Sequence, residues 1–155
     1  MRIIDLFSGV GGLTFGFYYR KYKDHFVRNR KNQFVFANEY NPLAAKAYSE
    51  NYPDIPMKNC DIKSLKESDI RKWIGSEPVD LIIGGPPCQS FSTVGQRNYD
   101  EKAQLYTEYL RVLKIARPKM FLFENVRGIL SMREIFYKRD AAGNILYELK
   151  DVEGR

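Results

Sequence analysis

The chain has 155 residues, 44% hydrophobic and 28% charged, which suits one water-soluble domain; no run approaches the ~18 apolar residues that a membrane span needs. Two cysteines and one histidine exclude a disulfide framework and a histidine-rich metal site, and point to a reducing, cytoplasmic setting. The net charge of +6 favours a polyanionic partner such as nucleic acid, although ordinary solubility charge reads the same way.

The chain opens directly on a predicted strand, Arg2–Phe7, with no leader peptide before it. A helix from Gly11 to about Lys23 follows. The basic segment Arg20–Lys31 holds six Lys/Arg in twelve positions. It reads as a solvated loop at the amino ends of the strands, away from the crevice where ligands bind. A second strand spans Gln33–Asn38, then a helix begins with Asn41 as N-cap and Pro42 in its first turn. Pro56–Cys60 is the third strand, Glu67–Trp73 a short helix and Val79–Gly84 the fourth strand. In Glu101–Ala116, residues Leu105, Tyr109, Val112, Leu113 and Ala116 recur at helical spacing, and Arg117-Pro118 ends that helix. Lys119–Glu124 is the fifth strand. Leu81-Ile82-Ile83 and Met120-Phe121-Leu122-Phe123 are near-continuous apolar runs, the pattern of parallel strands covered on both faces. Five alternations of strand and helix predict an open α/β sheet of about five parallel strands with flanking helices. In the tail, residues 135–139 and 144–148 around Asp140–Gly143 make a candidate hairpin.

The loop after the first strand is Asp5-Leu6-Phe7-Ser8-Gly9-Val10-Gly11-Gly12-Leu13. Glycines there let backbone N–H groups approach a ligand where a strand gives way to a helix. Glu39 ends the second strand, where a carboxylate suits a ribose diol, and Tyr40 beside it offers a ring for stacking on an adenine. Asp61 ends the third strand, where a carboxylate accepts from an adenine amino group. A glycine loop serves NAD, FAD and S-adenosylmethionine alike, and Glu39 and Asp61 also read as helix caps. Together the three strand ends point to an adenosine-bearing ligand.

The fourth strand runs into Gly84-Gly85-Pro86-Pro87-Cys88-Gln89-Ser90-Phe91-Ser92. The Cys88 thiol thus sits in a tight turn at the mouth of a buried strand, a placement for a nucleophile rather than core filler. The fifth strand delivers Glu124, between Phe123 and Asn125, to the same rim. A thiolate with a proton-donating carboxyl suits attack on an electron-poor ring, the acid protonating a ring nitrogen as sulfur adds. Cys60 reads as packing, His25 as a solvated surface residue and Trp73 as core between helix and sheet. A zinc base deaminase is excluded, because Cys88 opens no Cys-x-x-Cys and no His-x-Glu occurs.

In order, these segments resemble the DNA (cytosine-5)-methyltransferases. Asp5–Leu13 is similar to their cofactor-binding first motif, and Glu39-Tyr40 and Asp61-Ile62 to the second and third. Gly85–Ser92 is similar to the catalytic Pro-Cys motif. Gln104-Leu105-Tyr106 matches the opening of the next motif's helix, and Glu124-Asn125-Val126 the Glu-Asn-Val motif. The resemblance covers residues 2–130 and implies the Rossmann-like S-adenosylmethionine-dependent methyltransferase fold. It implies S-adenosyl-L-methionine held by Phe7, Ser8, Gly9, Gly11, Gly12, Glu39, Tyr40, Asp61, Ile62, Pro86 and Leu105. It implies a catalytic set of Cys88 and Glu124, with Pro87, Asn125 and Val126 around them, and no metal. The substrate it implies is double-stranded DNA with the target cytosine flipped out of the helix. Cys88 then adds to C6, Glu124 contacts N3 and the amino group, and C5 takes the methyl. Gln89, Ser90, Gln96, Arg97 and Arg127 are the expected DNA contacts.

The family's pattern continues with a Gln-Arg-Arg-type motif, a target-recognition region and a last motif that completes the cofactor pocket. None of these is found here. Residues 1–130 are therefore expected to form the catalytic and cofactor-binding core and 131–155 a tail, with the fold incomplete and the target-recognition domain absent. The chain is expected to be one half of a split enzyme or a truncated product. Lys119–Glu124 would then be an open outer strand, suited to a complementing C-terminal half or to self-association. The expected setting is a restriction-modification system in the cytoplasm, near the nucleoid in a prokaryote. An inactive cofactor-binding fragment, or an RNA cytosine-5 methyltransferase of the same fold, are the alternatives.

Overall fold

Parallel strands cannot be joined by tight turns, so each pairing in such a sheet needs a crossover. The computed structural model describes residues 1–87 and 105–125 with their side chains, and the backbone of two further strands. In chain order the elements are β1 (Arg2–Leu6), α1 (Gly12–Tyr18), β2 (Tyr19–Tyr22), β3 (His25–Arg28), β4 (Gln33–Glu39), α2 (Pro42–Asn51) and β5 (Met57–Asn59). A single 3-10 turn at Ile62–Ser64 follows, then α3 (Glu67–Ile74), β6 (Leu81–Gly84), α4 (Leu105–Ala116), β7 (Met120–Phe123), β8 (Arg133–Arg139) and β9 (Ile145–Asp151).

The main sheet has five strands in the order β5-β4-β1-β6-β7, and all four pairings are parallel. This is the open α/β sheet that the apolar runs predict. The central strands are covered on both faces, and Ile3, Ile4, Leu6, Ile82 and Ile83 are fully buried. Strand alternation sends successive side chains to opposite layers. Ile4, Leu6, Phe36 and Ile82 pack with Ile70 of α3 and Tyr109 and Val112 of α4. Ile3, Phe34, Ala37, Leu81 and Ile83 pack with Tyr18 of α1, Tyr48 of α2 and Tyr52. Trp73 joins the first layer, its ring 5.0 Å from that of Phe36.

Local signals set the helix boundaries. Asn41 Oδ1 accepts from the N–H groups of Leu43 and Ala44 at 2.9 and 3.2 Å, with Pro42 opening α2. Such a cap satisfies donors that the first turn leaves free. Gly75, at φ +68°, ends α3. At the amino end of the sheet, the Arg2 N–H donates to Asp80 Oδ2 at 2.8 Å and its guanidinium donates to the carbonyls of Ile74 and Glu77.

The first helix departs from the sequence reading. Helix α1 stops at Tyr18, and what was expected as the end of a helix and a solvated loop is an antiparallel ribbon, β2 with β3. The pairs run from Tyr19↔Arg28 to Tyr22↔His25, around Lys23 at φ +52°. The physical reason is aromatic packing. Phe15 of α1 packs at a tilt against Tyr19 at 5.2 Å and edge-on against Phe26 at 5.0 Å, pinning both strands to the helix. Tyr, Phe and Val at these positions favour a pleated, half-covered surface.

Strand β7 lies at the sheet edge, paired with β6 alone among the described residues. Its Met120, Phe121 and Leu122 are exposed. The chain divides into two units, the first comprising Met1–Pro86 and Leu105–Glu124. In the second, β8 and β9 pair antiparallel from Arg133↔Asp151 to Arg139↔Ile145. No described helix is long and apolar enough to cross a membrane.

Candidate functional site

The carboxyl ends of β1, β4 and β5 lie side by side, so their loops share one edge of the sheet. The first turn needs unusual backbone angles: Phe7 (φ +56°), Gly9 (+55°) and Gly11 (+95°) all take left-handed conformations. Gly11 has a second reason to be glycine. A Cβ there would lie 2.1 Å from the Tyr52 ring, whose hydroxyl donates to the Gly11 carbonyl at 2.8 Å.

Side chains lace the three loops together. Gly9 N–H donates to Glu39 Oε2 at 2.8 Å, and Asn41 N–H donates to Glu39 Oε1 at 2.7 Å. Glu39 therefore latches the glycine turn to the start of α2. The buried Asn38 amide donates to the carbonyls of Lys58 and Cys60, both at 2.9 Å. The Asn59 amide donates to the carbonyls of Glu39 and Tyr40 at 2.8 and 3.1 Å. Asn38 and Asn59 were missed from the sequence. The available signal was a polar residue closing the apolar run Phe34–Ala37, where a buried amide must find partners.

The other expected cofactor residues fall around this edge. Tyr40 is 74% exposed, its ring free to meet a ligand. Asp61 Oδ1 accepts from Lys63 N–H at 2.9 Å and caps the 3-10 turn. Ile62 is buried, and Phe7 and Leu105 are half-buried against the same core layer. Ser8 is buried, and its Oγ has no hydrogen-bond partner among the described residues. Gly9 and Gly12 face open space.

Beneath the turn lies a buried polar cluster. Thr14 Oγ1 donates to Asp5 Oδ2 at 2.5 Å and shares a 2.8 Å hydrogen bond with the Tyr48 hydroxyl. Burial pushes the Asp5 carboxyl up to about 7; the Thr14 hydrogen bond opposes this and the Glu39 charge adds to it. The folded chain then holds this proton more tightly than the unfolded chain, whose carboxyl keeps the ordinary value of 3.8. Asp5's contribution to stability is greatest near pH 4 and is lost as pH rises to 7, by on the order of 4 kcal/mol. Urea unfolding at a series of pH values should show Asp5→Asn gaining on the wild type across that window. Parallel pH profiles for the two proteins would contradict the buried-acid assignment.

On the other side of β1, β6 ends at Gly84 and leads into Gly85-Pro86, and β7 ends at Phe123, with Glu124 next. Glu124 N–H donates to the Gly84 carbonyl at 2.9 Å. A Cβ at Gly85 would lie 2.7 Å from Glu124 Oε2, so the bare glycine lets the carboxylate lie across the β6 terminus. Gly84 is equally confined, between the Leu6 carbonyl and the Tyr109 ring. Tyr109, read only as helix core from sequence, donates toward the carbonyls of Ile82 and Leu122, each at 3.0 Å. It thereby fixes β6 against β7, and burial raises its hydroxyl well above its ordinary value. Pro86 is buried, and Pro87 and Asn125 are half-buried. Cys88, Gln89, Ser90, Gln96, Arg97, Val126 and Arg127 lie outside the described residues.

A glycine turn on the first strand, an acid ending the next strand of the sheet and a five-stranded parallel sheet define the class: a Rossmann-like α/β fold. Solved structures agree. A DNA modification methyltransferase encoded within an E. coli prophage is 34% identical with a TM-score of 0.66, covering 84% of this chain and 33% of that one. The S. pombe Dnmt2 methyltransferase is 25% identical with a TM-score of 0.56, covering 83% and 34%. The chain belongs to the C-5 cytosine-specific DNA methylase family, whose model matches residues 1–152. Among curated relatives, Type II methyltransferase M.AgeI of Thalassovita gelatinovora is 42% identical over 135 residues, covering 85% of this chain and 29% of that protein. Type II methyltransferase M.AquIA of Picosynechococcus sp. is 37% identical, covering 84% and 50%. The chain thus spans between 29% and 50% of the length of these two relatives.

Proposed function

We propose that this chain carries the cofactor-binding and nucleophile-bearing part of an enzyme that methylates C5 of cytosine in duplex DNA. The observation that carries this reading is the row of strand ends on one sheet edge. The Gly9–Glu39 latch ends β1 and β4, and Gly85 with Glu124 ends the adjoining β6 and β7. Membership of the C-5 cytosine-specific DNA methylases supports it.

The residues fit S-adenosyl-L-methionine. Each Glu39 oxygen accepts one backbone N–H and keeps lone pairs for a ribose diol. The exposed Tyr40 ring suits an adenine face, Asp61 an exocyclic amine, and the unpartnered Ser8 hydroxyl lies in the same turn. Bound there, the cofactor supplies a methyl on a positively charged sulfur. Cys88 donates its sulfur electron pair to C6 of the flipped base, forming an S–C6 bond. Glu124 holds a proton at N3, so electron density collects at C5, which takes the methyl. Loss of the C5 proton then expels the Cys88 thiolate and restores the ring. Pro87 precedes the nucleophile in the chain, and Asn125 and Val126 follow the acid. Gln89, Ser90, Gln96, Arg97 and Arg127 hold the opened duplex. The exposed β7 edge takes strands from a complementing C-terminal half or a second copy, and the enzyme works in the cytoplasm.

Titration calorimetry tests the cofactor site on this chain directly. S-adenosyl-L-methionine should bind with a Kd between about 1 μM and 1 mM, roughly −8 to −4 kcal/mol. Glu39→Ala should weaken it about tenfold or more, since a hydrogen bond to a charged group is worth ~1.5–3 kcal/mol. Tighter binding of NAD than of S-adenosyl-L-methionine would overturn the proposal.

A further inference from the structure

The β2–β3 ribbon takes no part in the site above. It joins α1 to the amino ends of β1 and β4: the Gln33 N–H donates to the Met1 carbonyl, and the Met1 amino group donates to the Lys31 carbonyl at 2.7 Å. It therefore stands at the end of the sheet away from the glycine turn.

Its register sorts its side chains. Opposed residues share a face, so Tyr19, Lys21, Phe26 and Arg28 lie on one side and Arg20, Tyr22, His25 and Val27 on the other. The first side is the one turned toward α1, with Tyr19 and Phe26 against Phe15, although Phe26 stays 56% exposed and Lys21 is exposed too. Arg28 anchors it, paired with Asp54 at 3.2 Å and lying 3.9 Å from the Tyr18 ring centre. The outer side, with the link that follows β3, is different. Arg20, Lys23, Arg30 and Lys31 are exposed, and none forms an ion pair with a described residue. Arg20 and Lys23 each sit 5.8 Å from the Tyr22 ring centre, which holds two cations near one ring. Arg20, Tyr22, Val27, Arg30 and Lys31, together with Arg28 and Asn29 at the ribbon's end, line an open concavity of ≈ 830 Å³. Asp24 is the one acid between Arg20 and Lys31. A surface serving solubility alone mixes both signs; residues 20–31 hold six cations to this one acid.

We propose that the outer face of this ribbon is a second contact surface for duplex DNA, gripping phosphates rather than reading bases. It rests on the reading of DNA as substrate given above. Cations displayed close together on the ribbon and the link that follows it suit a phosphate row, because backbone contacts need charge and spacing rather than base-edge chemistry. The surface would hold the flanking duplex while the carboxyl edge of the sheet handles the target base. It would make the affinity steeply dependent on salt.

Fluorescence anisotropy tests this with the full chain and a labelled duplex of about 30 base pairs, between ~50 and 200 mM salt and without cofactor. The triple variant R20A/R30A/K31A should bind about tenfold more weakly or worse. Its slope of log K against log salt should fall by about 2–3, near 0.9 per lost phosphate contact. The variant K46A/K66A/K72A removes the same charge from α2, α3 and the residue that precedes α3, and should keep wild-type affinity and slope. Equal losses in both variants would overturn the proposal, as would unchanged binding in the first. Tighter binding of a polyglutamate of equal charge than of the duplex would also overturn it, pointing to an acidic protein partner. Thermal melts should coincide, since the replaced side chains are exposed. Cofactor titration of the ribbon variant separates the two readings: it should bind S-adenosyl-L-methionine as the wild type does, whether or not DNA binding is lost.

Discussion

A duplex carrying 5-fluorocytosine at the target position should be captured covalently through Cys88 when the chain is supplied with the remaining segments of its family's fold. The expectation follows from the proposed electron flow. Once sulfur has added to C6 and the methyl has moved to C5, the ring is restored only by losing a cation from C5. Hydrogen leaves as a proton; fluorine cannot leave as a cation, so the S–C6 bond persists. Cys88→Ser should abolish the adduct completely, and Cys60→Ser should leave it unchanged, because Cys60 packs against the core layer beside Asn38. Glu124→Gln should slow trapping by ~10²–10⁴-fold, the usual worth of a placed general acid. The amide keeps the size of the side chain that lies across Gly85, so the loss would report proton chemistry rather than a packing fault. Denaturing gels and peptide mapping give the readout. An adduct that survives Cys88→Ser would remove the nucleophile from the mechanism.

The second large effect is on stability. Gly11→Ala should destabilise the fold by about 2–5 kcal/mol. Part of that, ~1–2 kcal/mol, is the cost of a side chain in the left-handed region at φ +95°. The rest is overpacking, ~1–3 kcal/mol, because the new methyl would collide with the buried Tyr52 ring. Domains of this size are stable by only ~5–15 kcal/mol, so the loss is a large share. Gly16→Ala is the matched control. Gly16 lies within α1 with open space around it, and the change should stabilise by about 0.5–1 kcal/mol. Urea unfolding should shift the midpoint in opposite directions for the two variants at constant m. A Gly11→Ala midpoint equal to the wild type would show that Tyr52 does not hold the turn.

The sheet was legible because its signal is local and repeated. Leu81-Ile82-Ile83 leaves no room for a solvated face, Asn41-Pro42 announces a helix, and the glycine turn announces a ligand loop. The ribbon was not legible. Tyr18-Tyr19-Arg20-Lys21-Tyr22 continues the aromatic spacing of Phe15, and a helix would also place Phe15 beside Tyr19. What decides between them is Phe26, eleven residues from Phe15 and packed edge-on against it. The same holds at the site. Glu39 was visible as an acid ending a strand, but its hold on the Gly9 N–H depends on two strands meeting in space. Asn38, Asn59, Tyr109 and the Gly11–Tyr52 contact were hidden for that reason: each joins residues far apart in the chain.

The sheet order also bears on how the chain reaches this state. Strand β1 is made first and lies in the middle, yet its neighbours are β4, beginning at Gln33, and β6, beginning at Leu81. The Arg2 N–H finds its acceptor on Asp80, 78 residues away. Closing such long loops costs entropy before any contact rewards it, which makes folding of this topology slow. During synthesis, β1, β4 and β5 with α1 and α2 can assemble as a nascent half-sheet once residue 59 has emerged. One edge of β1 then stays open until β6 follows. Between those two events the unpaired edge of β1 is open to pairing with the wrong strand.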